Sequence, residues 1–217
     1  MIHTAVRAVL FDFGGVITDS PFEAFRRFER SRGLPEGFLQ SVNRNNPEDN
    51  AWARFERGEL GLADFDRAFA EEARRAGYEV RGAEVVGLIY GPVRPAMLRA
   101  VARCRERFLT ACLTNNFRLG GARGSLGECG PPAEWKTALS LFHEVIESSQ
   151  IGARKPERRF YEIACARLVI EPGSAVFLDD IGANLKPARE MGMRTLKVVD
   201  PEAAIVELQS LLGIALD

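Results

Sequence analysis

The 217-residue sequence predicts a three-layer α/β fold, a parallel sheet between helices, with a small helical segment inserted after the first strand. Three observations carry this expectation. Short apolar, β-branched runs recur along the chain. Amphipathic helical patterns separate most of them. One long stretch, from Asp19 to Gly91, carries helical signals only.

The first run, Val6 to Phe11, ends at Asp12 and then at Gly14 and Gly15, a buried strand entering a tight loop. Further strands are predicted at Phe108 to Leu113, Glu144 to Ile146, Ala175 to Leu178 and Thr195 to Val199. Between them, Pro95 to Arg107 places Met97, Leu98, Val101 and Ala102 on one helical face. Pro156 to Leu168 does the same with Phe160, Ile163, Ala164 and Leu168, with Pro156 at the first helical position, where its missing N–H costs nothing. In the inserted stretch Phe22, Phe25 and Phe28 recur near one face, followed by Trp52 and Phe55, then Phe65 and Phe69. These rings are expected to pack the segment's own core, with one or two available to line an apolar pocket. The division is a core of residues 1–18 and 92–217 and a helical segment of residues 19–91. Gly120 to Pro132 reads as a surface connection, because it lacks the strand–glycine loop–helix context of a dinucleotide site.

Composition narrows the function. With 29 basic and 30 acidic residues the net charge is -1, which offers neither nucleic acid nor an anionic membrane an electrostatic partner. Cys104, Cys112, Cys129 and Cys165 form no paired motif, and a chain this long and apolar needs no disulfide staples, so reduced thiols are expected. His3 and His143 stand apart from any cysteine or carboxylate cluster, against zinc. No secretory signal or membrane-spanning run is visible, so the reading is a cytoplasmic protein.

In open parallel sheets, ligands bind outside the carboxyl ends of the strands. Asp12 and Gly14 follow the first strand, Thr114, Asn115 and Asn116 the second; Lys155 lies beyond the third, and Asp179 and Asp180 end the fourth. Alone, each is a turn or a helix cap. Together they form a phosphoryl-transfer set. Asp12 can attack phosphorus. Asp12, Asp180 and the Gly14 carbonyl offer oxygens to Mg²⁺, a hard ion that would screen the nucleophile from an anionic substrate. Thr114 and the Asn115 N–H can hold phosphate oxygens, and Lys155 can neutralise their growing charge.

These four motifs, in this order, resemble the haloacid dehalogenase (HAD) superfamily, and the insert resembles its helical cap domain. Val176 to Pro187, Leu113-Thr114-Asn115 and Lys155-Pro156 further resemble the N-terminal phosphatase domain of bifunctional soluble epoxide hydrolases. The chain offers no room for an α/β-hydrolase domain, so epoxide hydrolysis is not expected. The resemblance implies a Rossmann-like core, Asp12 as nucleophile, Mg²⁺ on Asp12, Gly14 and Asp180, and phosphate on Thr114, Asn115 and Lys155. It also implies that Asp179 and Asn184 orient the metal's waters and ligands without binding it.

The sequence departs from that pattern at one position. Phosphatases of the superfamily usually carry Asp-x-Asp, whose second aspartate protonates the leaving oxygen; here that residue is Gly14. Such a group contributes about 10²–10⁴-fold in rate. The expected function is a Mg²⁺-dependent phosphatase of a small sugar or lipid phosphate. A non-catalytic module binding Mg²⁺ and a phosphorylated ligand is the alternative. A 2-haloacid dehalogenase, whose first motif also lacks the second aspartate, is a third, opposed by the acidic pair Asp179-Asp180.

Overall fold

The computed structural model describes residues 5–118 and 131–216. Five strands, β1 (Ala8–Phe11), β2 (Leu109–Thr114), β3 (Glu144–Glu147), β4 (Ala175–Asp179) and β5 (Arg194–Lys197), form one sheet in the order β3-β2-β1-β4-β5. All neighbours are parallel. Phe11 pairs with Cys112 on one side and Leu178 on the other. This register brings Asp12 level with the ends of both neighbouring strands, and its N–H donates to the Leu178 carbonyl at 2.8 Å.

Every residue of β1 and β4 is buried, as parallel strands covered on both faces require. Their side chains alternate between two hydrophobic clusters. Val9, Phe11, Val176 and Leu178 join Met97 and Val101 of α6 (Pro95–Arg105) and Leu208 of α11 (Pro201–Leu212). Leu10, Leu113 and Phe177 join Phe160 and Tyr161 of α9 (Arg158–Leu168) and Leu185 of α10 (Gly182–Glu190). The three layers follow.

Helices α7 (Ala133–Leu139) and α8 (Ser148–Ile151) flank β3, and between β1 and α6 lie α1 (Phe22–Ser31), α2 (Phe38–Arg44), α3 (Ala51–Glu56), α4 (Leu62–Arg75) and α5 (Gly82–Val86). They share a third cluster, centred on Phe25, Leu39, Phe55, Phe65 and Phe69. Their short helices depend on side-chain caps. The Glu29 carboxylate accepts from the Gly37 and Leu39 N–H groups, both at 2.9 Å, and the Asn50 side chain accepts from Ala53 N–H at 2.8 Å. The chain enters and leaves this segment at adjacent points. Thr18 and Val93 form an antiparallel bridge, Asp19 N–H donates to the Pro92 carbonyl at 3.0 Å, and Arg94 N–H donates to the Ile17 carbonyl at 2.8 Å.

Several expectations shift. β1 begins at Ala8, and β5 covers Arg194–Lys197, ending before Val199. Pro156 does not open a helix: the Lys155–Pro156 bond is cis and α9 starts at Arg158, so Pro156 shapes the loop ahead of it. On α6 the buried face is Met97, Ala100, Val101 and Cys104, while Ala102 is exposed, because the stripe turns with the 3.6-residue period. The Gly120 to Pro132 connection and Cys129 lie almost wholly outside the described residues, as does His3. Cys104, Cys112 and Cys165 are buried free thiols, and burial pushes Cys165 up to about 11 and Cys104 up to about 12, which disfavours the thiolate at both. His143 faces Thr110, its Nδ1 taking the Thr110 N–H at 3.1 Å. Among the described residues no helix is long and apolar enough to cross a membrane.

Candidate active site

The carboxyl ends of β1 and β4 bring three carboxylates together. Asp12, buried, follows β1; Asp179 is the last residue of β4 and wholly buried, and Asp180 follows it. One carboxylate oxygen from each lies within 4.8 Å of the others. Lys155, 1% exposed, reaches into the group from the loop before α9, its Nζ 2.7 Å from Asp12 Oδ1 and 2.8 Å from Asp179 Oδ2. Burial by itself would lower the Lys155 pKa, but Asp12 and Asp179 raise it well beyond the usual lysine range, so the ammonium stays charged.

The three aspartates differ in what they have left to offer. Asp179 is committed: Oδ1 takes the Ile181 N–H at 2.8 Å, and the Asn184 amide donates to both oxygens at 3.1 Å. Asn184 is itself held, since Tyr161 Oη donates to its carbonyl at 2.6 Å. Asp12 places Oδ1 on Lys155 and on its neighbour's N–H, Phe13 at 2.6 Å, so its two oxygens are unequal. Asp180 Oδ1 is buried without a partner. Burial, then the nearby Asp179 charge, pushes Asp180 up to about 6, and the same two causes raise Asp12 well above the ordinary carboxylate range. Three carboxylates share one lysine, and one buried acceptor is unsatisfied. That donor set fits a divalent cation on Asp12 and Asp180, with Asp179 and Asn184 behind them.

The loop after β1 shapes the floor. Gly14 has ordinary backbone angles, φ -70° and ψ 126°, and a Cβ there would meet nothing within 4 Å. Gly15 is required: its φ is +81°, and a Cβ would lie 2.2 Å from Asp180 Oδ2. Arg94 Nη1 donates to the Gly15 carbonyl at 2.7 Å and its Nε to Asp19 Oδ1 at 3.0 Å, tying the loop to the start of α6.

Thr114 and Asn115 leave β2 half-buried. The Asn115 side chain clasps Lys155: its Oδ1 takes the Lys155 N–H at 2.9 Å, and its Nδ2 donates to the Lys155 carbonyl at 3.0 Å. With the side chain so used, the main-chain N–H is what Asn115 can give to a ligand. Asn116 turns away, bonding Glu147 and Ser149.

The floor opens into a cleft under the helical segment. One lobe, about 390 Å³, is lined by Asp12, Gly14, Thr114, Asn115, Lys155 and Asp180 from below and by Phe22, Phe25, Asn43 and Trp52 from above. A second lobe of about 230 Å³ shares Gly14 and Thr114 and is walled by Phe13, Trp52, Ile89, Tyr90, Phe117 and Trp135. The segment's phenylalanines therefore divide. Phe55, Phe65 and Phe69 are core, while Phe22 and Phe25 also face the cleft.

All eight residues singled out in the sequence, Asp12, Gly14, Thr114, Asn115, Lys155, Asp179, Asp180 and Asn184, gather at this one sheet edge. Those not singled out are Arg94, Tyr161, Trp135 and Glu56. Arg94, immediately after the insert, could have been suspected as a hinge. Glu56 carries no local signal of this role, because two of its three partners, Asn115 and Arg154, lie far along the chain.

A family model described as haloacid dehalogenase-like hydrolase matches residues 6–192, and the chain belongs to that family. Mouse acyl-CoA dehydrogenase family member 10 is 35% identical over 97% of this chain and 19% of its own length. Pig bifunctional epoxide hydrolase 2 is 31% identical over 98% of this chain and 40% of its own. The chain thus spans less than half of these relatives. The sesquiterpene phosphatase astK of Aspergillus oryzae matches end to end, 32% identical over 97% of this chain and 98% of its own. Among solved structures, a HAD-like family hydrolase from Porphyromonas gingivalis superposes with a TM-score of 0.69 at 21% identity, covering 96% of this chain and 98% of its own. A family enzyme from Bacteroides thetaiotaomicron, in complex with magnesium and inorganic phosphate, superposes with a TM-score of 0.59 at 20% identity, covering 89% and 94%. The two structures speak for the fold.

Proposed function

We propose that the chain is a Mg²⁺-dependent phosphomonoesterase that works through an aspartyl-phosphate on Asp12. The observation that carries this reading is the charge-crowded floor: three carboxylates within 4.8 Å, one buried lysine and one buried carboxylate oxygen without a partner. A cation held by Asp12, Asp180 and the Gly14 carbonyl would supply charge neutralisation for both the nucleophile and the phosphoryl oxygens. An Asp12 oxygen attacks phosphorus, the bond to the ester oxygen breaks, and the leaving alkoxide takes a proton from solvent. Water then hydrolyses the acyl phosphate, releasing phosphate and restoring Asp12. Lys155, Thr114 and the Asn115 N–H bind the phosphoryl oxygens, and Asp179 with Asn184 keeps Lys155 and Asp180 in place. The helical segment, residues 19–91, acts as the cap over this floor.

Gly14 leaves the leaving group without the usual acid, so esters with acidic leaving groups are favoured. The aromatic walls of the smaller lobe favour an apolar leaving group over a sugar, in keeping with the relative named a sesquiterpene phosphatase. The same glycine favours a second reading, a slow site that binds Mg²⁺ and a phosphorylated ligand without useful turnover.

The test is a set of aryl and alkyl phosphates assayed with Mg²⁺ on wild type, Asp12→Asn and Gly14→Asp. Asp12→Asn is expected to lose at least about 10³-fold. Gly14→Asp, for which there is room, is expected to gain about 10²-fold on alkyl esters and little on nitrophenyl esters. Activity that survives Asp12→Asn would sink the phosphatase reading. Ligand binding with no turnover in wild type or Gly14→Asp would leave the binding module.

A further inference from the structure

Helix α3 grips the loop that leaves β2. Glu56, the last residue of α3, is 7% exposed, and its carboxylate takes three donors: Trp52 Nε1 at 2.8 Å, Asn115 Nδ2 at 3.1 Å and Arg154 Nε at 2.6 Å. The first belongs to the helical segment and the other two to the sheet domain. Two residues past Asn115, Phe117 stacks on Phe55 with ring centroids 4.5 Å apart and planes 7° from parallel. It also meets Trp52 edge-on at 5.8 Å. A residue of the β2 loop is thereby built into the segment's own hydrophobic cluster. The backbones come close enough that a Cβ on Gly58 would lie 2.5 Å from the Ser149 carbonyl oxygen.

The Asn115 amide stands between the two halves. Its Nδ2 donates to Glu56 and to the Lys155 carbonyl, and its Oδ1 accepts the Lys155 N–H. Glu56 and Lys155 therefore pull on one side chain, which fixes the orientation of Asn115 and of the chain carrying Lys155. A buried carboxylate with three donors is strongly held, and separating it from Arg154 would strand charge on both sides.

We infer that Glu56 is a positioning residue that couples docking of the helical segment to assembly of the Thr114–Asn115–Lys155 anion site. The inference rests on the reading of that site as the phosphate-binding one. A phosphoryl group bound there and a docked α3 stabilise each other, because each favours the same arrangement of Asn115. Glu56 also borders the cleft near Gly14, where an acid is missing. Its three partners are all donors, which suits an acceptor that positions and not a group that gives up a proton.

The test compares wild type, Glu56→Gln and Phe117→Leu in two measurements. Loss of one charge-assisted contact corresponds to about a tenfold effect or more. Glu56→Gln is expected to raise KM for a phosphate ester about tenfold, to lower kcat by less, and to keep the shape of the pH profile. Phe117→Leu, which leaves every polar contact intact, is expected to move KM the same way by a smaller factor. Wild-type KM in both variants would overturn the coupling, as would loss of one limb of the kcat pH profile in Glu56→Gln with KM unchanged. The second measurement is hydrogen exchange of residues 51–56 with and without Mg²⁺ and inorganic phosphate. Added protection in wild type that is lost in both variants supports the inference, and equal protection in all three overturns it. Activity surviving Asp12→Asn would instead remove the phosphatase reading, and the exchange measurement would still decide the coupling.

Discussion

The floor and the roof of the cleft are built on opposite principles. The floor is four ionisable side chains, Asp12, Asp179 and Asp180 from strand ends of the parallel sheet and Lys155 from the loop before α9, held by side chains such as Asn184. The roof is aromatic, with Phe22, Phe25 and Trp52 carried on short helices around a separate cluster, and the adjoining lobe is walled by Tyr90 and Trp135. On the proposed function, a charge-dense floor would suit the part of a substrate that never changes, the transferring group with its cation. An apolar roof suits the part that varies. Errors in the two should therefore have different consequences, global for the floor and selective for the roof.

Lys155→Met is the strongest way to break this contrast. It strands Asp12 and Asp179 in the interior, and breaking a buried ion pair costs about 3–5 kcal/mol. Chemical denaturation should show that loss, with Mg²⁺ restoring part of it. A variant as stable as wild type would mean the floor is not held by charge.

Metal and pH sharpen the same point. The Asp180 carboxyl is pushed up to about 6, above its unfolded value of about 3.9. The folded state therefore binds more protons than the unfolded chain between these values, and metal-free stability falls as pH rises from about 4 to 6. Above that window the repulsion is fully present, and a bound Mg²⁺ would relieve it. Below it, the proton would compete with such a metal. The stability gain from saturating Mg²⁺, of the order of 2–3 kcal/mol at a hundredfold excess over Kd and read as a rise in Tm, should be larger at pH 7.5 than at pH 5. The reverse order would contradict a cation held by these carboxylates.

The roof offers the smaller, selective effect. Trp135 packs edge-on to Phe13 at 4.8 Å and to Tyr90 at 5.2 Å, and its indole N–H is already donated to the Gly91 carbonyl at 3.0 Å. It presents only apolar surface to the lobe. Trp135→Ala should cost about tenfold in kcat/KM for an apolar ester and leave a minimal ester nearly unchanged. Equal losses on both would place Trp135 with the floor.

How much was legible in the sequence follows the same divide. The floor could be read because its residues follow strands at recognisable breaks: the Phe11-Asp12 end of β1, Thr114 after β2, and the Asp179-Asp180 pair after β4. A strand end plus the rule that ligands bind at carboxyl edges is local information. The helical segment was legible as a stretch with no strand, and its return to its starting point is what the Thr18–Val93 bridge records. Pro156 was misplaced for a local reason too: a proline before an amphipathic run resembles a helix start, yet the loop that delivers Lys155 needs two more residues before α9 begins.

The sequence by itself determined the fold class, the order of the chemical residues and the missing aspartate at Gly14, because each is written in periodicity or in neighbouring residues. Only the tertiary structure decided which carboxylates are free. Asp179 is saturated by Ile181 and Asn184 close by and by Lys155 from 24 positions earlier, while Asp180 is left with an unpaired buried oxygen, and this division depends on where the Lys155 loop packs against the end of β4. It also decided that Glu56 meets Asn115, which stands 59 positions further along the chain. No composition, spacing or period encodes such a pairing, since it is settled by where two independently packed hydrophobic clusters come to rest against each other.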